Sequence, residues 1–344
     1  MVAKKHKNSV LAAYLYLVYS WYDSYILILQ VQIARLYIPL SDTMVLAHFG
    51  LLAPCLALGK ITGLYRYPVK GLSGDALEKV QLAPGETFPD DRRFALLKTA
   101  ASHAFDPQNP TWLHKENFLC AFTDPQLMAK YQASYLTKVA TTDKEPDGYK
   151  NGKYLSLNER FTNEEVLGPL DISTTEGRQA LANFFSLQSG IPITCITTDD
   201  KYHQFGNTSS GWKQKRDTRT IHIVTESSVK ALAAAIGSHE NTLSPTRFRP
   251  NIVLSGENLR PFSEFDWIGK SIQNCSNLRM KVISKTVRCK GVSVDPLNLD
   301  LPDVDIPRLL VKHFPEHGPY LGVYAVVESG GDLNLGDEVF LSCG

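Results

Sequence analysis

Closely spaced cysteines are missing from this sequence. The six cysteines are scattered along the chain, and no two of them form a C-x-x-C pair. Zinc ribbons and cysteine-ligated iron–sulfur sites need several thiols at short spacing, so both classes are excluded. The pattern also suits a reducing compartment better than a disulfide framework. The cysteines are Cys55, Cys120, Cys195, Cys275, Cys289 and Cys343.

An excess of charge is missing as well. The 36 Lys and Arg residues nearly balance the 35 Asp and Glu residues, which leaves a formal net charge of +1. No stretch interleaves basic and aromatic residues on the scale of a nucleic-acid groove, so no nucleic-acid partner is expected. The sequence also lacks G-x-G-x-x-G, G-x-x-x-x-G-K-[ST], H-E-x-x-H and G-x-S-x-G, and the nine histidines do not cluster at ligand spacing. The sequence therefore contains no motif that would indicate a dinucleotide-binding, P-loop, zincin or hydrolase function.

A long apolar run is also missing, although residues 1–58 differ from the rest of the chain. Three lysines precede an uncharged stretch rich in Tyr and Leu, and a second uncharged run spans residues 43–59, yet neither reaches 18 apolar residues. Three interpretations stay open. The segment is a signal anchor, which predicts membrane association at a mitochondrial or other membrane; it is poorly ordered; or translation starts at Met44. Without an anchor, a cytoplasmic location is expected.

The remainder of the chain has the pattern of a folded, mostly β protein. Short β-branched and aromatic segments alternate with Pro- and Gly-containing turns from Lys60 onward. The length and the 43% hydrophobic content suffice for two domains. We predict an α+β fold, predominantly β, with an N-terminal β-barrel-like domain over residues 59–185 and a second β-barrel domain with peripheral helices over residues 186–344.

Two helices have clear start and stop signals. The first is predicted to begin near Ser173 and to stop near Gly190. The second follows the strand at residues 221–224, begins around Thr225 and ends at Gly237. A strand that leads directly into a helix leaves free N–H groups, which can hold a phosphate but more commonly hold only their own cap.

Cys289 is the most informative single position. An isolated cysteine is commonly a packed, small hydrophobic residue, and its alternative role is a metal ligand or nucleophile. If a strand runs through it, alternation sends Arg288 and Lys290 to the opposite face, so that neither can be its counter-ion. A metal or a remote cation would then stabilise the thiolate. Other isolated polar residues lie at predicted strand ends or loops, where arginines suit phosphates and planar rings: Lys70, Arg93, Arg249, Asn251 and Tyr324.

Five short motifs, spread from Lys60 to the C-terminus, carry a resemblance to a known family. They are Tyr67-Pro68-Val69-Lys70, Asp91-Arg92-Arg93-Phe94, Phe248-Arg249-Pro250-Asn251, Arg288-Cys289 with Val294-Asp295-Pro296, and Gly322-Val323-Tyr324 with Leu335-Gly336-Asp337. In this order the sequence resembles the MOSC-domain proteins with an N-terminal MOSC β-barrel, which include the mitochondrial amidoxime-reducing components. The chain departs from the amidoxime-reducing branch at Gly71, where that branch has Ser, and at Thr286-Val287, where it has Cys-Ser.

The resemblance implies a molybdenum cofactor, a molybdenum–pterin, held between the barrel and the MOSC domain. Cys289 resembles the catalytic thiolate that ligates the metal, and soft thiolate ligation suits such a metal. The implied cofactor contacts are Lys70, Gly71, Arg93, Thr225, Ser227, Arg249, Asn251 and Tyr324.

The function implied is two-electron reduction of small N-oxygenated (N-hydroxylated) substrates. The sequence has no flavin, haem or iron–sulfur motif, so a separate electron-donor protein is expected. Binding of pyridoxal phosphate is not expected, because no residues remain to build such a domain. Two alternatives stay open: a sulfur or cofactor carrier with a persulfide on Cys289, and a non-catalytic binding module in which Cys289 is packed.

Overall fold

The computed structural model describes residues 57–140, 149–198, 203–206, 219–237, 243–297, 299 and 303–342. These residues belong to one compact unit. The interpretations of the N-terminal segment fall almost entirely outside the described ranges and stay predictions. Within those ranges, no helix has the length and apolar character needed to cross a membrane.

Most of the regular structure in the described ranges is β-strand, which confirms the predicted fold class. Four α-helices occur there: α1 Pro125–Lys130, α2 Thr175–Ser189, α3 Glu226–Ala235 and α4 Ile306–His313. Sixteen strands accompany them: β1 Ala57–Arg66, β2 Asp75–Ala76, β3 Lys79–Leu82, β4 Ala95–Lys98, β5 Phe118–Leu119, β6 Tyr131–Ala140, β7 Tyr149–Glu159, β8 Glu165–Asp171, β9 Ile193–Ile196, β10 Ile221–Thr225, β11 Ile252–Ser255, β12 Ser271–Asn274, β13 Arg279–Val287, β14 Tyr320–Ser329, β15 Gly331–Asn334 and β16 Glu338–Leu341.

Seven of these strands close into a barrel. The order around it is β1, β11, β10, β14, β13, β12 and β16, and β16 pairs again with β1. Lys60 of β1 shows the closure, since it is opposite Ser255 of β11 on one side and Glu338 of β16 on the other. Closure leaves no open edge in this sheet, and one apolar core fills its interior.

A second apolar core lies outside the barrel. It is formed by the sheet β5-β4-β9, the sheet β6-β7-β8 and helix α2. Helix α2 has the predicted boundaries: the Thr174 hydroxyl accepts a hydrogen bond from the Gly177 N–H, and Gly190 ends the helix in the left-handed conformation.

The strand β1 links the two predicted domains. By sequence it belongs to the predicted first domain, yet its neighbours in the barrel, β11 and β16, come from the predicted second domain. The domain boundary at residue 185 stays a prediction.

Candidate functional site

A cavity of about 170 Å³ brings together five of the predicted site residues, and we call it the cationic cavity. These five are Lys70, Gly71, Arg249, Cys289 and Tyr324. Its lining also includes four polar or thiol residues that the sequence did not single out for this site: Arg92, Cys120, His222 and Arg288. The cavity therefore collects most of the motifs that carry the family resemblance.

The backbone turns at Cys289. Strand β13 ends at Val287, and Cys289 is the residue before a short 3-10 turn over Lys290–Val292. No strand runs through Cys289, so the two-residue alternation considered for Arg288 and Lys290 does not apply. As a consequence, Arg288 and Cys289 line the cavity together, whereas Lys290 is exposed and does not line it.

The fully buried carboxylate of Asp91 ties three motifs together. Its Oδ1 accepts hydrogen bonds from the Tyr67 N–H at 2.8 Å and from Asn251 Nδ2 at 3.0 Å. Its Oδ2 accepts from the Arg92 guanidinium and from Gln204 Nε2. The ends of β1 and the segment before β11 are thereby fixed relative to each other, which positions the walls of the cavity.

Arg92 and Arg249 brace this arrangement. Arg92 donates to the Arg249 carbonyl at 3.1 Å, and Arg249 donates to the carbonyls of Gly71 at 3.2 Å and Leu72 at 2.5 Å. Both guanidinium groups lie over the Tyr67 ring, with Arg249 4.4 Å from its centroid. Burial lowers the pKa of Arg249 to about 10. The two arginines thus donate several of their hydrogen bonds to other groups of the protein.

Arg92 lines the cationic cavity, whereas Arg93 does not. The Arg93 guanidinium donates to the carbonyls of Thr198 at 2.8 Å and His203 at 2.9 Å. Arg92 has a left-handed backbone with φ of 53°, which breaks the alternation between the two neighbours. A cofactor contact by Arg93 stays a prediction.

Asn251 lies behind the cavity wall, outside the lining. Besides its bond to Asp91, its side chain donates to the Tyr65 carbonyl at 3.1 Å and accepts from the His222 N–H at 3.0 Å. Buried and fully engaged, Asn251 fixes the start of β10 next to β1. A direct cofactor contact by Asn251 stays a prediction.

Lys70 and Tyr324 line the cavity, and neither polar group has a side-chain hydrogen-bond partner among the described residues. Among the described residues, no acceptor lies within hydrogen-bond distance of the Lys70 ammonium, which is 4.8 Å from the Phe118 ring centroid. Burial lowers the pKa of Lys70, and the nearby Cys120 thiol raises it in part. Burial also raises the pKa of Tyr324. Both groups are therefore available to a polar ligand.

Thr225 and Ser227 lie away from the cavity, at the start of helix α3. Thr225 is the N-cap of α3 and donates to Glu264 Oε2 at 3.1 Å, and Ser227 donates to Thr225 Oγ1 at 3.2 Å. Ser228 Oγ also donates to Glu264 Oε2, at 2.8 Å. The hydroxyls of this helix start serve a buried carboxylate, and a cofactor contact by Thr225 or Ser227 stays a prediction.

Replacing Glu264 by glutamine is expected to weaken the dependence of folding stability on pH. Burial raises the pKa of Glu264 above its ordinary value, more than the hydrogen bonds from Ser228 and Thr225 lower it. Above the ordinary carboxyl pKa, the folded state therefore binds more protons than the unfolded state, and the free energy of unfolding falls as the pH rises. When urea unfolding is measured at several pH values between about 5 and 8, the free energy of unfolding of Glu264→Gln relative to the wild type should increase as the pH rises. A constant difference between the two proteins would contradict this account.

A second cavity of about 300 Å³ adjoins the first. The two share Gly71, Ala121, Arg249 and Gly291 in their linings. Ligand pockets usually measure about 300–1,000 Å³, so the cationic cavity alone is small and a cofactor-sized ligand would need both. The lining of the second cavity also includes Tyr65, Ser73, Gln132, Arg160 and Leu297.

Gly71, in the shared wall, explains one departure from the resembled family. Its φ is +95°, and a Cβ there would lie 2.7 Å from the Cys120 Cα and 2.9 Å from the Cys120 Cβ. A serine does not fit this position without movement of Cys120. Close contact with the backbone of residue 120 and the positive φ together favour glycine at this position.

Comparison with known proteins identifies one part of the chain. Residues 200–340 match the family model of the MOSC domain. No curated protein matches the chain. Among solved structures, the YUAD protein from Bacillus subtilis is 13% identical with a TM-score of 0.37, over 82% of this chain and 94% of that one. YiiM from Geobacillus stearothermophilus is 16% identical with a TM-score of 0.27, over 36% of this chain and 53% of that one.

Proposed function

The chain contains a MOSC domain over residues 200–340, and from this premise we propose that it is a molybdenum-cofactor-binding oxidoreductase with Cys289 as the protein ligand to the metal. MOSC domains are associated with binding of the molybdenum cofactor. The observation that carries the proposal is the position of Cys289, which lines a cavity together with four cationic side chains and, among the described residues, no carboxylate.

The residues present fit such a group. A thiolate is a suitable soft ligand for molybdenum, and a single protein ligand leaves coordination positions open. The cationic lining suits the anionic phosphate and metal-bound oxygen atoms of the cofactor. Arg288 lines the cavity, is buried and has no acidic partner within salt-bridge distance in the described part of the chain, so an anionic ligand would offset its charge.

Different residues of the chain would have different roles in binding the cofactor. Cys289 would hold the metal, Lys70 and Tyr324 would contact the cofactor with their free polar groups, and Arg92 and Arg249 would keep the walls in place. When bound, the cofactor would supply a metal able to pass two electrons to an N-oxygenated small molecule. Because the sequence contains no flavin, haem or iron–sulfur motif, the electrons would come from a separate protein.

A sulfur-carrier function is the second candidate, and Cys120 favours it. Cys120 is buried and lines the same cavity as Cys289. Attack of the Cys120 thiol on a Cys289 persulfide would form a disulfide between the two residues and release hydrogen sulfide, which balances atoms and electrons. In this function Cys289 would carry sulfur and would not ligate a metal.

Elemental analysis of the freshly purified protein tests the proposal. The wild type is expected to contain molybdenum near a 1:1 ratio, and Cys289→Ser is expected to lose most of it, because serine is a harder and less acidic ligand than cysteine. Cys275→Ser is the matched control, since Cys275 is exposed and lines neither cavity. The wild type should also reduce an N-hydroxylated substrate when an artificial electron donor is supplied.

The other outcomes separate the alternatives. A metal-free wild type whose Cys289 carries a persulfide by mass spectrometry would favour the sulfur carrier. Absence of both the metal and the persulfide would leave a non-catalytic module with a packed Cys289. Equal molybdenum in wild type and Cys289→Ser would show that the metal has another ligand.

A further inference from the structure

The side of the cationic cavity that is open to solvent carries an apolar side chain. Every cationic side chain in the described lining is buried or half-buried, and Arg288, for example, is only 8% exposed. Val287 is 50% exposed, and it supplies the only exposed side chain of that lining. A molecule that enters the cavity therefore meets an apolar side chain at the entrance and cations further inside.

The backbone holds Val287 firmly at this entrance. Val287 is the last residue of strand β13, and it lies opposite Tyr320 of β14 in the antiparallel register. The next residue, Arg288, donates its backbone N–H to the Pro319 carbonyl at 2.8 Å, so the pairing with the chain around β14 continues past Val287. Cys289 follows one residue later. Val287 is therefore a fixed part of the entrance, close in the chain to the proposed metal ligand.

Phe122 adds a second apolar side chain to the lining. It is half-buried, packs against a small apolar cluster that includes Phe118 and Phe205, and has the Lys115 ammonium 3.5 Å from its ring centroid. This cation–π contact stabilises the position of the ring. A single exposed valine is ordinary on a protein surface. Val287 differs because it borders a cavity that also contains an aromatic ring and four cations.

We infer that Val287 and Phe122 form an apolar entrance that selects N-oxygenated substrates with an aromatic or aliphatic substituent next to the N–O group. This inference rests on the proposed function and names the substrate class of that site. Covering Val287 with an apolar substituent removes apolar surface from water, which is favourable. A polar substituent would lose water there without gaining a hydrogen bond from the valine. The amidoxime-reducing branch has serine at this position, so the valine gives this chain a preference of its own.

Calorimetric titration of the full chain with phenylphosphonate and methylphosphonate tests the entrance without relying on activity. The protein is produced in a host that cannot make the cofactor, so that the cavity is free. Both probes offer the same phosphonate to the cations, and only one carries a ring. We expect the wild type to bind phenylphosphonate about tenfold more tightly, and Val287→Thr, which replaces a methyl by a hydroxyl, to lose about three- to fivefold of this preference. Val311→Thr is the matched control, because Val311 is 47% exposed on α4 and lines neither cavity.

Steady-state kinetics of the cofactor-loaded protein provide the second readout. Phenylhydroxylamine and hydroxylamine differ by one ring, and each takes two electrons from an artificial donor and two protons from water as the N–O bond breaks to give the amine, or ammonia, and water. Val287→Thr should raise the KM for phenylhydroxylamine about three- to fivefold with little change in kcat, because the valine contacts a part of the substrate that does not react. The constants for hydroxylamine should stay close to those of the wild type.

Failure of this inference is distinguishable from failure of the proposed function. Equal affinity of the wild type for the two phosphonates, no binding of either, or an unchanged preference in Val287→Thr would overturn the apolar entrance. If the preference depends on Val287 but protein from a cofactor-producing host contains no molybdenum, the proposed function fails and the entrance stands as a ligand-binding feature. If the protein retains molybdenum through Cys289 while Val287→Thr treats all four compounds like the wild type, the proposed function stands and the entrance fails.

Discussion

The Asp91→Ala variant is expected to lose about 3–5 kcal/mol of folding stability, the usual cost of breaking a buried ion pair by removing one partner. The carboxylate is fully buried and accepts from four donors, one of which is the charged guanidinium of Arg92. Alanine would remove one acceptor from each of the four donors and would leave Arg92 without its counter-ion. Since a domain has only about 5–15 kcal/mol of stability, the midpoint of urea unfolding should fall sharply.

Asp332→Ala provides the matched control. Asp332 also forms an ion pair, with Lys79 at 2.7 Å, but the Lys79 side chain is exposed and that of Asp332 is partly exposed. Exposed pairs contribute about 0–1 kcal/mol, so this variant should unfold close to the wild type. An Asp91→Ala protein that unfolds at the same urea concentration as Asp332→Ala would show that Asp91 does not hold the motifs together.

The Arg247→Met variant is expected to have a similarly large effect, focused on the turn that follows Cys289. Arg247 is buried and donates to the carbonyls of Val292 and Ser293 and, at 3.2 Å, to Asp295. Methionine would leave the buried Asp295 carboxylate without its cation, at a cost of about 3–5 kcal/mol. Because these bonds hold the turn, the proposed function predicts that the variant also retains less molybdenum per folded protein than the wild type.

A double variant separates charge from packing at this position. In Arg247→Met/Asp295→Leu the unpaired carboxylate is gone as well, so part of the lost stability should return, because apolar replacement of a buried pair is often tolerated. Urea unfolding of both single variants and the double variant measures the coupling. Strictly additive losses would mean that Arg247 and Asp295 act independently.

Local signals in the sequence were sufficient for the fold class and for several boundaries. Thr174 and Gly190 delimit helix α2, and Thr225 and Gly237 frame helix α3, because caps depend on residues close in the chain. The mostly β character also followed from composition and turns.

The details of the site depend on contacts that no local pattern contains. The choice between Arg92 and Arg93 is decided by a left-handed backbone at Arg92. Asp91 appeared in a motif without a role, because its partner Asn251 is 160 residues away. In the sequence Cys120 is one of six scattered cysteines, and only the fold shows that it lies against Gly71. The turn at Cys289, in turn, is stabilised by Arg247, more than 40 residues earlier in the chain.

Strand β1 closes the barrel, and this limits which fragments of the protein can be studied separately. The segment that matches the MOSC domain begins at residue 200, after β1 and after the Lys70 and Asp91 motifs. A fragment restricted to residues 200–340 would keep Cys289 but expose the edges of β11 and β16 that β1 covers. Exposed strand edges promote aggregation, so such a fragment would be a poor substitute for the longer chain. A soluble minimal protein has to include the strand that begins at Ala57.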